Sequence, residues 1–270
     1  MAAEPPPDAS PSPEVTLYSV PVSNYAARVR FVAYAKGLVA DGTVAVVPPS
    51  AVGGLSSAPY RAVHPFGKMP AAVVHARNGG GDADGSGRGG DDLMLYESAV
   101  LVEYLADAYE DVGPSFLPAT SAARARARLV VAVLNEYVGP HHPVMYKALD
   151  GMDAAGRAAG VARLCAGLDA VEAALDAGGP YAAGDCLSVA DAALLGNWPF
   201  YAFMLPTFFG TTPTDGRPRL AAWAQHLLAS SPAAQEVYAE VHAALVKWWE
   251  GGRWEKLGMD AVAPPPGLPF

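Results

Sequence analysis

The stretch His64-Pro65-Phe66-Gly67-Lys68-Met69-Pro70 sets two prolines around a Gly-Lys-Met tripeptide, and the apolar run Ala71-Ala72-Val73-Val74 follows at once. A proline at the mouth of a strand removes a backbone donor and imposes a defined turn. X-Pro is the peptide bond at which the cis form costs least, so Met69-Pro70 is a cis candidate. The N–H and C=O of Met69 are expected to face outward, where an extended peptide could pair with them. Lys68 offers a cation to a carboxylate. Further on, Glu97-Ser98 stand where the short strand pattern Leu93-Met94-Leu95 runs into a helical one. Ser98 and the first N–H groups of that helix suit a carboxylate, and Glu97 suits an ammonium. Together these segments look like two halves of a site for a small acidic peptide. Ser23 precedes another helix, whose N-terminus carries unpaired N–H groups and partial positive charge. A hydroxyl there can donate a hydrogen bond to an anion. Plainer readings stand beside these. Ser23 is also an ordinary N-cap, Glu97 a favourable acid at a helix start, and Lys68 a solvated lysine. Tyr18, Ser19 and Tyr25 are further hydroxyls close to the same helix start. His64 reads as a structural or rim residue.

The elements that must position these groups follow from the pattern of apolar residues. Val15 to Val20 is a strand ending at Pro21, and Asn24 to Gly37 is a helix with Val29, Val32, Ala33 and Lys36 on one face. Strands follow over 43–47, 71–75 and 93–95. The helix over 97–110 sets Val100, Leu101, Tyr104, Leu105 and Ala108 on one face. This half is a small mixed α/β sheet. Residues 78–92 are almost all Gly, Asp, Arg and Ser, which predicts a flexible hairpin insert. The insert lacks the GxxxxGK[ST] pattern of a phosphate-cradling loop. Strand patterns then vanish. Helices are expected over 121–149, broken at Gly139-Pro140, and over 154–177, 188–203, 218–229 and 232–249. The 188–203 helix is apolar almost all round and belongs in the middle of a bundle. It opens on Ser188-Val189-Ala190-Asp191, a capping box that serves folding. The resulting domains are a disordered lead-in over 1–13, an α/β domain over 14–113, a helical domain over 121–250 and a tail over 251–270.

Composition narrows the function classes. The 270 residues are 51% hydrophobic, enough for two sizeable cores, and the formal charge is −9 with the basic residues scattered. Nucleic acid needs a concentrated basic face, so it is not an expected partner. No apolar run approaches the ~20 residues that span a bilayer. Neither of the two cysteines, Cys165 and Cys186, lies in a CxxC pair, and both read as buried thiols in a reducing compartment. The adjacent pair His141-His142 does not share a helix face, so no metal site is expected. Residues 1–13 lack the basic-then-apolar order of a secretory signal.

At this point the chain resembles the soluble glutathione S-transferases. Four motifs carry the resemblance in order: Ser23-Asn24-Tyr25-Ala26-Ala27-Arg28-Val29-Arg30; His64 to Pro70; Leu95-Tyr96-Glu97-Ser98 with Tyr104-Leu105; and Tyr181-Ala182-Ala183-Gly184-Asp185 followed by Leu187-Ser188-Val189-Ala190-Asp191. Departures are His64 where Asn is usual, the Gly-rich insert, and a tail holding Trp254 after Trp248 and Trp249. The resemblance implies a thioredoxin-like domain followed by an all-helical C-terminal bundle. It implies an enzyme that conjugates glutathione, its co-substrate, to a small apolar electrophile, in a cytoplasmic homodimer without a metal. Ser23 is then the catalytic residue, its hydroxyl donating to the glutathione thiolate and lowering the thiol pKa from its usual ~8.5, with Tyr18, Ser19 and Tyr25 as rivals for that role. Lys68, Met69, Pro70, Glu97 and Ser98 bind the peptide, the last two at its γ-glutamyl end. A subset of Tyr137, Met145, Tyr146, Trp198, Phe200, Tyr201, Phe203 and Met204 would line the electrophile pocket. Two alternatives stay open: a non-catalytic binding module of the same shape, and a glutathione-dependent isomerase. A thiol-disulfide reductase of this fold would need a cysteine where Ser23 stands.

Overall fold

The computed structural model describes residues 12–76 and 91–270. The lead-in expected over 1–13 and the insert expected over 78–92 lie outside the described residues, apart from positions 12–13 and 91–92. The first half contains strand β1 (Val15–Tyr18), helix α1 (Asn24–Ala35), β2 (Val44–Val47), a 3-10 turn (Pro49–Val52), α2 (Ala58–Val63), β3 (Ala71–Val74), β4 (Leu93–Tyr96) and α3 (Ser98–Ala108). The sheet order is β2-β1-β3-β4, with β1 parallel to β2 and the other pairs antiparallel. Register then decides where the chemistry falls. Tyr18 lies opposite Ala71, and Ala71 lies opposite Tyr96. The chain leaving β1, the chain reaching β3 and the chain leaving β4 therefore meet at one end of the sheet. Those are the segments that hold Ser23, Met69-Pro70 and Glu97-Ser98.

Alternation along the strands divides the core. Val15 and Leu17 face α1 and α3 in the main core, with Phe31, Val32, Leu101 and Leu105. Tyr18, Ala71 and Val73 form a smaller core with Tyr60 and Val63 of α2 on the other face. In α3 the buried residues are Ser98, Leu101, Val102, Leu105 and Ala106, while Val100 is 48% exposed. The expected face was one position off. Ala99 to Val102 are all apolar, so their period could not say which of them point inward.

The second half is helical: α4 (Ser121–Val133) runs through a π turn (Leu134–Val138) into a 3-10 segment (Gly139–Met145), then α5 (Ala154–Ala174), α6 (Val189–Phe209), α7 (Pro218–Ser230) and α8 (Pro232–Glu250). The expected break falls at Gly139-Pro140. Helix α6 runs past Phe203, through Pro206, and stops at Gly210 in the left-handed region, φ 61°. Its capping box is present, and Asp191 also accepts from the Ala182 N–H and from Trp223 Nε1 at 2.9 and 2.8 Å. Helix α6 packs directly on α1. A Cβ on Gly196 would lie 2.4 Å from the Asn24 carbonyl oxygen, and Asn24 Nδ2 donates to Asn197 Oδ1 at 2.7 Å. The tail returns over this domain. Trp254 is buried and stacked on Phe203 and Phe208, and its Nε1 donates to the Met145 carbonyl. The cysteines depart from expectation: Cys165 is half-buried and Cys186 is exposed, so neither is a core thiol.

Candidate functional site

Where the three segments meet lies a cavity of about 320 Å³, a size suited to a small ligand. Lys68, Met69, Pro70, Glu97 and Ser98 all line it. The Met69-Pro70 bond is cis. The loop ahead of it is held from below: the phenol of Tyr60, fully buried and edge-on to Tyr18, donates to the Lys68 carbonyl at 2.6 Å. That bond fixes the backbone from which Met69 would pair with a peptide. Lys68 itself is exposed, as a cation meeting a mobile carboxylate should be.

Opposite stands the start of α3. Glu97 has φ 72°, and among the described residues no other non-glycine has a positive φ. A non-glycine residue there costs on the order of 1–3 kcal/mol, and such residues persist where the surroundings impose them. The helix has no side-chain cap. Its opening N–H groups and the buried Ser98 therefore offer donors to an anion, while the exposed Glu97 offers a carboxylate to a cation. A zwitterionic α-amino acid end carries both charges.

Ser23 is the N-cap of α1, with extended backbone (φ −84°, ψ 111°), and its Oγ accepts from the Ala26 N–H at 3.2 Å. Accepting that bond leaves the hydroxyl proton for another acceptor. Ser23 is half-buried and is not among the residues that line the cavity, whereas Tyr25 is. The other rivals are occupied. Ser19 is buried and accepts from Arg30 Nη1 at 2.5 Å, and Tyr18 lies in the small core. The structure thus leaves Ser23 and Tyr25 as hydroxyls near the site.

Two wall residues carried no signal in the sequence. Asn135 and Glu136 reach the cavity from the π turn after α4. Arg28, wholly buried, donates to Asn135 Oδ1 at 2.8 Å and lies 4.7 Å over the Tyr25 ring. Burial lowers its pKa, while Tyr25 and Tyr201 act in the opposite sense. Of the two expected places for His64, structural or rim, it takes the structural one, buried in the cavity wall. Its ring is 2% exposed, lies 4.8 Å from Tyr96, and its Nδ1 has no partner among the described residues. Burial lowers its pKa, against the pull of Glu97. Of the paired histidines, His142 is buried among Tyr146, Phe200 and Tyr201, and burial, with Arg28 and Lys147, pushes it down to about 3. Of the expected electrophile-facing aromatics, Tyr137 is 66% exposed, and Trp198, Phe200, Tyr201 and Phe203 are buried in the helical core.

A thioredoxin-like sheet domain and an all-helical domain, with a cavity at the sheet's end, define a class of two-domain thiol-transfer proteins. Residues 17–115 match the glutathione S-transferase N-terminal domain, and residues 154–226 match the C-terminal domain of the same family. The chain is 31% identical to glutathione S-transferase 3 of Zea mays over 238 residues, 83% of this chain and 93% of that one. It is similar to the apo structure of a glutathione S-transferase III, with 27% identity, TM-score 0.61, and coverage of 85% and 97%. A glutathione transferase from Phanerochaete chrysosporium, solved with oxidized glutathione, shares the fold at 21% identity and TM-score 0.65, over 85% and 96%. The chain belongs to the glutathione S-transferase family, and it is an enzyme of that family with glutathione as its co-substrate.

Proposed function

We propose that Ser23 is the catalytic residue, that Lys68, Met69, Pro70, Glu97 and Ser98 bind glutathione, and that the thiolate attacks a small apolar electrophile. The observation that carries this reading is the convergence of the α1 N-cap hydroxyl and the two-sided cradle at one end of the sheet. The γ-glutamyl carboxylate meets the N–H groups of α3 and Ser98, and its ammonium meets Glu97. The cysteinyl backbone pairs with Met69 behind the turn that Pro70 shapes, and the glycyl carboxylate meets Lys68. The sulfur then lies toward α1, where the Ser23 hydroxyl donates to it and favours the thiolate at neutral pH. The thiolate forms a carbon–sulfur bond, and the electrophile expels a leaving group or takes up a proton. The electrophile lies beside Tyr25, whose hydroxyl backs onto Gly139 of the helical domain.

The test is an ultraviolet titration of bound glutathione, following thiolate absorbance against pH. A bound-thiol pKa well below that of free glutathione is expected, and Ser23→Ala should return it toward the free value. Because Tyr25 lines the cavity and Ser23 does not, Tyr25→Phe is the matched comparison. A shift lost in Tyr25→Phe and kept in Ser23→Ala would transfer the role to Tyr25.

The same reading takes the chain as a cytoplasmic homodimer, with an α/β domain over 14–113, a helical domain over 121–250 and a tail over 251–270. Exposed apolar side chains support the dimer: Phe66, Leu93, Met94 and Val100 in the α/β domain, and Leu129 on α4 of the helical domain. Sedimentation of the purified protein at twice the chain mass is the expected result.

A further inference from the structure

We infer that Arg30 is a positioning residue for the thiol-activating turn, and that the helical domain holds it in place through Glu240. This rests on the reading of Ser23 given above. Between the end of β1 and Ser23 the chain turns through Ser19, Val20, Pro21 and Val22. The Ser23 N–H closes the turn on the Val20 carbonyl at 3.1 Å. Arg30 lies two helical turns along α1 on the same side as Ser23, and it is 2% exposed. Its guanidinium fills the inside of the turn. Nη1 donates to Ser19 Oγ at 2.5 Å and to the Val20 carbonyl at 2.9 Å, and Nη2 donates to the Pro21 carbonyl at 2.9 Å. The Val20 carbonyl thus takes both the N–H of Ser23 and the side chain of Arg30.

The remaining edge of the guanidinium faces the other domain. Nε donates to Glu240 Oε2 on α8 at 2.8 Å. The Tyr34 phenol donates to Glu240 Oε1 at 2.9 Å, so both carboxylate oxygens are fixed. Burial and Glu240 raise the pKa of Tyr34, which keeps the phenol protonated as the donor. One planar group therefore joins three points of the turn to one point of the helical domain. A lysine has a single nitrogen and cannot span this set. Glutathione is not expected to touch Arg30. Its effect reaches the thiol only through where it places the Ser23 hydroxyl, and a small misplacement of a reacting group is costly.

The test compares Arg30→Lys, Glu240→Gln, Ser23→Ala and the double variant Ser23→Ala/Glu240→Gln, each read by the pKa of bound glutathione thiol, kcat and glutathione Kd. Glu240→Gln keeps the shape of the side chain and one of its two acceptor oxygens while removing the charge, so it reports on the anchor in a folded protein. Arg30→Lys is expected to raise the bound-thiol pKa and lower kcat on the order of 10–100-fold, with Kd little changed. Glu240→Gln should move the same two quantities in the same direction by less. On the Ser23→Ala background Glu240→Gln should have no further effect, since both act through one hydroxyl. A wild-type thiol pKa in folded Glu240→Gln and Arg30→Lys, with Ser23→Ala still raising it, would overturn this inference and leave the Ser23 reading standing. Additive effects in the double variant would also overturn it. An unchanged thiol pKa in Ser23→Ala would remove the Ser23 reading, and this one with it.

Discussion

The N-termini of α1 and α3 reach the same end of the sheet, and they are built in opposite ways. At α1 the cap is complete and unstrained: Ser23 is extended, and its oxygen already accepts from the Ala26 N–H. What such an end has left to give is a proton from the hydroxyl. At α3 no side chain caps the helix, and the residue before it, Glu97, is held at φ 72°. On the reading proposed above, that end would keep its N–H groups for a ligand, with the strained Glu97 presenting a carboxylate beside them. The comparison teaches that a helix start can serve chemistry through its cap or through the absence of one. The satisfied end suits activation of a neutral thiol, and the unsatisfied end suits capture of a charged group.

Substitutions at the two ends should therefore part company. The largest effect belongs to Ser23→Ala, which should lower turnover on the order of 10²-fold, the usual cost of one transition-state donor, while glutathione affinity stays near wild type. Equal losses in turnover and affinity would erase the distinction between the ends. Ser98→Ala should weaken glutathione roughly 10-fold, as loss of a hydrogen bond to a charged group does, and leave the bound-thiol pKa where it was. Calorimetry and the ultraviolet titration read these two quantities separately. Glu97→Gly should weaken glutathione too, yet raise the unfolding free energy of the apoprotein by about 1 kcal/mol as strain is released. A denaturation midpoint that falls in this variant would mean that the α3 end carries no strain. The smallest difference lies between Ser23→Gly and Ser23→Ala. Both remove the hydroxyl and should lose turnover alike, but glycine at an N-cap costs only a few tenths of a kcal/mol where alanine costs ~1. If both were equally stable, the cap would not be the separate duty that the comparison assigns it.

Much of this was legible in the chain. The proline-bracketed His64–Pro70 stretch, the strand-to-helix step at Glu97 and the serine ahead of α1 are local patterns, and local patterns fix local backbone. The break at Gly139-Pro140 is legible for the same reason, and the helix over 154–177 is legible because Val161, Leu164, Leu168 and Val171 recur at helical spacing; all four are buried in α5. What escaped reading depends on partners far along the chain. Arg30 sits between Val29 and Phe31 with nothing nearby to signal Glu240, which lies two hundred residues on. Asn135 and Glu136 look like the polar side of a helix until the fold brings them to the cavity. His64 reads as a structural or rim residue, and the fold buries it in the cavity wall beside Tyr96. Helix α6 outruns its expected end at Phe203 and continues over Pro206 to Phe209.

The contact at Gly196 has a mechanical consequence. Helices α1 and α6 approach so closely there that even a methyl group would strike the Asn24 carbonyl oxygen, and the buried Asn24–Asn197 bond lies beside it. A joint with no slack cannot act as a hinge. The half that would cradle the peptide and the half that would meet the electrophile are one frame, and they cannot part to admit a bulky molecule or clamp down after it. The range of electrophiles this enzyme takes should then be set by the rotation of individual side chains at the mouth, Tyr25 first among them, and by the speed with which product clears a passage of fixed width.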